Sequence, residues 1–93
     1  MPNVSLGSYN TVAIAAASGV YRLTPATGST STIDVLNAGA GSIFIRLSAD
    51  PSLNDPKSLL LPANTAMNGL VIDGSAGMGI IASADTTLSV RVK

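Results

Sequence analysis

The chain has 93 residues, enough for one small domain and too few for two. Five Lys and Arg side chains balance five Asp side chains, and no stretch is basic enough to serve as a counterion for nucleic acid or an acidic membrane. His, Cys, Trp, Glu and Gln are absent, which removes the commonest general base, the commonest metal ligands and every thiol nucleophile, so no catalytic, cofactor or metal site is expected.

Residues 1–18 carry no charge and read as an N-terminal arm or a first strand, set apart from a single β-domain over residues 19–93. Val4–Leu6 and Tyr9–Val12 favour extended backbone, whereas Ala13–Ala17 tolerates helix until Ser18-Gly19 ends it. In Val20–Thr24, Tyr21 and Leu23 share one face with Arg22 opposite, and Pro25 stops the strand. Ala26–Thr32 lacks a large apolar side chain and reads as a loop. Thr32–Asn37 is a strand with Ile33 and Val35 on one face, and the small residues Asn37–Gly41 suit a hairpin.

Ser42–Ser48 has the clearest pattern: Ile43, Ile45 and Leu47 alternate with Phe44 and Arg46, a period of two that turns three branched side chains toward a core. Asp50–Lys57, with two prolines and Asn54, reads as the longest polar loop. Leu59–Leu61 and Thr65–Asp73 are strands, Gly74–Gly79 a turn, Met78–Ser83 a strand, and Thr87–Val92 a last strand with Leu88, Val90 and Val92 inward. These elements predict an all-β fold, a compact β-sandwich or jelly-roll-like barrel of about eight short strands.

Only 11% of residues are charged while 46% are hydrophobic, against about 25% charged in an ordinary domain. Such a surface consists mainly of Ala, Ser, Thr and Gly. A core this small usually needs disulfides, a metal or oligomerisation to complete it, and the first two are missing. Association with copies of itself or with a larger assembly is therefore expected. The first basic residue is Arg22 and the apolar run Val12–Ala17 has six residues, which argues against a secretory signal, and no run approaches the roughly 18 apolar residues of a membrane span.

Several stretches invite a functional reading and have a plainer one. Gly74–Gly79 lacks the Lys and following helix of a phosphate loop and is better taken as a turn. The oxygens of Asp50–Asp55 lack the Gly and Glu positions of a calcium loop. Asn3-Val4-Ser5 matches a glycosylation sequon, a pattern common by chance. Arg22, Arg46 and Arg91 lie opposite the apolar faces, where they keep a sheet face solvated or pair with Asp across an interface. The interface candidates are Val4, Leu6 and Tyr9 in the N-terminal segment, and Phe44 and Arg46 on the outward face of their strand.

Tyr21-Arg22-Leu23-Thr24-Pro25, Asn37-Ala38-Gly39 leading into Ile43-Phe44-Ile45-Arg46, Leu61-Pro62-Ala63-Asn64-Thr65 and Leu88-Ser89-Val90 resemble small virion proteins of tailed bacteriophages over residues 20–93. Where such sequences tend to have Pro-Ala-Gly, this one has Pro62-Ala63-Asn64, and Asn also tolerates left-handed backbone. The resemblance implies a β-sandwich capsid decoration, or cement, protein on the outer capsid surface, with the major capsid protein as partner and a homotrimer as the favoured assembly. It also leaves open a head-fibre, tail or baseplate component, or a module that binds a host surface or glycan.

Overall fold

The computed structural model of the chain describes residues 2–93; Met1, the start of the expected N-terminal segment, lies outside them. The strands are β1 (Asn3–Leu6), β2 (Tyr9–Ile14), β3 (Tyr21–Pro25), β4 (Ser31–Asn37), β5 (Ile43–Leu47), β6 (Leu59–Leu61), β7 (Thr65–Ile72), β8 (Met78–Ala82) and β9 (Thr86–Val92). One short 3-10 turn, Ala16–Ser18, follows β2 and takes up the alanine-rich stretch.

Two sheets form, one in the order β1-β3-β8-β5-β6 and the other in the order β2-β9-β4-β7. The antiparallel pairs β2/β9, β3/β8, β4/β7 and β5/β6 are nested inside one another. One long hairpin has thus been rolled so that its paired arms alternate between sheets, which is the jelly-roll form of the β-sandwich. The all-β sandwich expected from the strand periodicity is what the chain adopts. β1 is additional to the eight rolled strands and lies parallel to β3, with Leu6 opposite Pro25.

Period-two alternation builds the core. Ile33, Val35, Leu88 and Val90 of the four-stranded sheet meet Leu23, Ile43, Ile45, Met78 and Ile80 of the five-stranded one, all of them buried. Leu47 breaks its own alternation and is 39% exposed. β5 runs past its pairing with β6, which begins at Leu59 opposite Ile45, so Leu47 has a strand neighbour on one side only, Met78 of β8.

One expectation about connections narrows and one changes. Residues 3–14 supply one strand to each sheet, so of the two forms open to the first 18 residues the described part takes the strand form and is continuous with the sandwich. Asn37–Gly41 is not a hairpin, because β4 and β5 belong to different sheets and the segment is a corner between them. Asn37 makes that corner. Its side chain is fully buried; Nδ2 donates to the carbonyls of Gly41 at 2.6 Å and Leu61 at 3.1 Å, and Oδ1 accepts from Gly39 N at 3.3 Å and Thr86 Oγ1 at 2.6 Å. Two donors and two acceptor sites are all that a side-chain amide offers, and here all are used. Asn64, after Pro62-Ala63, takes φ 57°, the left-handed backbone that its position in the turn requires.

Candidate functional site

Part of the outer face of the five-stranded sheet, around Gly79, is crossed by the chain itself. Residues 48–57, the polar loop, cross this face as a strap with Pro51 buried beneath it. Arg22 of β3 pairs with Asp50 and also donates to the Ala76 carbonyl at 3.0 Å, while Arg46 of β5 lies 3.8 Å from Asp55. Gly79 sits between these two arginines in register. A Cβ there would run into the Ala49 carbonyl and come within 2.8 Å of the Pro51 ring, so the absent side chain is what lets the strap lie close. Arg22 and Arg46 therefore meet their Asp partners within one chain.

The same segment carries four exposed leucines: Leu47 at the end of β5, Leu53 in the strap, and Leu59 and Leu60 in β6, each between 39% and 51% exposed. Leu60 is in register with Phe44, whose other neighbour is Ile81. Phe44 and Ile81 are half-buried. These leucines lie on or beside the β5–strap–β6 edge, while Leu36 of β4 and Val71 of β7, 41% and 56% exposed, lie on the other sheet.

The outer face of the four-stranded sheet is bare. Tyr9 stands on edge strand β2, 76% exposed, with the Arg91 guanidinium 5.8 Å from its ring centroid. Arg91 is in register with Asp34 on its other side. Opposite Asp34, β7 carries a bulge in which Gly69 takes φ 74° and its N–H donates to Asp34 Oδ1 at 2.9 Å. Lys93 approaches the same oxygen at 3.2 Å. The Gly69 N–H first, then Lys93, hold the Asp34 carboxyl below the usual aspartate range. Between Tyr9 and Asn68 of β7 lies a groove of about 350 Å³, with Thr11, Asp34, Ser89 and Arg91 among its lining residues.

The five sequence-derived interface candidates do not form one surface. Leu6 is 2% exposed and belongs to the core, and Val4 is half-buried against it, because β1 completes a sheet rather than projecting as an arm. Phe44 and Arg46 lie on the strapped face, Tyr9 on the opposite sheet. The groove was missed because its residues come from β2, β4, β7 and β9. Outward alternation could have flagged each of them, but neighbours within a sheet are not readable along the chain.

Among the described residues no three His, Cys, Asp or Glu side chains group as metal ligands, and no helix is long and apolar enough to cross a membrane. The Gly74–Gly79 turn is filled from within: Asp73 Oδ1 accepts Ser75 N, Ser75 Oγ and Ala76 N, each at 2.8 Å. These donors, the Ala76 N–H foremost, lower the Asp73 pKa. Asp85 accepts Ala16 N at 2.9 Å, and Asp55 accepts Lys57 N at 2.9 Å. Each of the five carboxylates thus accepts a hydrogen bond or ion pair from its own chain. No family model, curated protein or solved structure matches the chain.

Proposed function

We propose that this protein is a non-enzymatic structural component of a bacteriophage virion that decorates the capsid from outside and bridges adjacent major capsid subunits, itself assembled as a homo-oligomer, with a trimer favoured. The leucine flank at Leu47, Leu53, Leu59 and Leu60 is the observation that carries this assignment. Several large apolar side chains left exposed around one edge of a small domain support a protein contact there. Seating that edge against a shell removes it from water, and the remaining exterior of small neutral side chains suits a crowded lattice. A head-fibre, tail or baseplate position is the second reading, favoured by the same flank.

Stoichiometry in purified particles tests the assignment. A decoration protein is present in proportion to the major capsid protein, and particles stripped of it open at lower temperature. A copy number fixed by a single vertex or by the tail would move the protein to the second reading, and absence from particles would end both.

A further inference from the structure

We propose that the groove across the four-stranded sheet is a saccharide-binding site, an activity beyond the decorating role and independent of it. The occupant follows from the chemistry of the wall. The exposed Tyr9 ring offers a flat apolar face of the kind that packs on the C–H face of a sugar. Around it stand donors and acceptors of both signs: Arg91 has no hydrogen-bond acceptor among the described residues, and Asp34 spends only Oδ1 on Gly69 and Lys93, leaving Oδ2 without a partner there. Asn68 and Ser89 add an amide and a hydroxyl.

A phosphate or carboxylate ligand would face the Asp34 charge, and an apolar ligand would strip water from Arg91 and Asp34 without replacing their hydrogen bonds. Hydroxyl groups, which donate and accept, satisfy both, and a ring with apolar faces and hydroxyl edges satisfies the tyrosine as well. At about 350 Å³ the groove lies near the lower end of small-ligand sites, roughly 300–1,000 Å³, and suits one or two sugar rings. The Arg91 guanidinium, 5.8 Å from the Tyr9 ring centroid, lies against one side of the ring and leaves the rest of it to a ligand.

The test is a titration of the isotopically labelled full chain with methyl glycosides and disaccharides of neutral hexoses and N-acetylhexosamines, read by amide chemical shifts. Saturable shifts confined to β2, β4, β7 and β9 are expected, weakened about tenfold by Tyr9→Ala and largely retained by Tyr9→Phe, which keeps the ring. Absence of saturable shifts across the panel, or shifts indifferent to Tyr9→Ala, overturns the proposal. So does a dependence of the same amides on protein concentration without sugar, which would identify a second copy as the occupant. None of these outcomes bears on copy number in particles, so the two proposals fail separately.

Discussion

The two sheets of this sandwich treat their outer faces in opposite ways. On the five-stranded sheet, residues 48–57 fold back as a strap, two arginines are matched by Asp50 and Asp55, and Phe44 and Ile81 are left half-buried beside it. On the four-stranded sheet no segment crosses the face, and Tyr9, Leu36 and Val71 remain exposed among its polar side chains around a groove. A chain with ten formal charges has used five of them, Arg22, Arg46, Asp50, Asp55 and Asp73, on the strap and the neighbouring turn. Crossing one face with a strap and leaving the other bare makes the domain two-sided, although both sheets contribute to the one core.

The largest effect is expected where the two sides are sewn together. Asn37→Asp keeps the shape of the side chain but turns its Nδ2 donor into an oxygen facing the carbonyls of Gly41 and Leu61. It should cost about 3 kcal/mol or more, because two buried acceptors lose their donor and a carboxylate is placed where water does not reach. Urea unfolding that leaves the midpoint in place would mean the corner is not the junction described.

Gly79→Val comes next and acts on the strapped side alone. Its branched side chain has to displace Ala49 and Pro51, and overpacking of this kind costs about 1–3 kcal/mol. Proteolysis within residues 48–57 should accelerate in the same variant while the groove residues keep their amide shifts.

Asp73→Asn should lower the unfolding midpoint at neutral pH by a smaller amount. The folded-state pKa of Asp73 lies below the usual 3.8, so its ionised form is favoured by folding. That contribution is complete above the unfolded value and is lost as the pH falls through the lower folded value. The gap between parent and variant should therefore close on acidification, and a gap that persisted would assign the effect to something other than the carboxylate.

On the bare face, Tyr9→Ala and Arg91→Ala should each leave stability within about 0.5 kcal/mol of the parent, as for surface positions away from buried networks. A larger loss in thermal unfolding would show that this face is part of the structural frame.

Much of this architecture was legible in residues. Ile43 and Ile45, or Leu88 and Val90, alternate so strictly that strand, face and burial follow from the pattern. What alternation cannot convey is which strand lies beside which. The corner at Asn37 looked like a hairpin because small flexible residues serve both, and only the two-sheet topology separates them. The strap looked like a solvated loop because its prolines and aspartates favour turns, while the partners that pin it, Arg22 and Arg46, are distant or on another element. Leu6 resembled part of a weak arm because a four-residue strand with one buried leucine has little periodic signal.

Amide hydrogen exchange of the chain, free and mixed with the capsids that it is proposed to decorate, tests the two-sided account most directly. Seated protein should gain protection along β5, residues 48–57 and β6, with Thr11, Asp34, Ser89 and Arg91 exchanging as they do in the free chain. Protection of those groove positions, with the leucine-bearing segment unchanged, would contradict it.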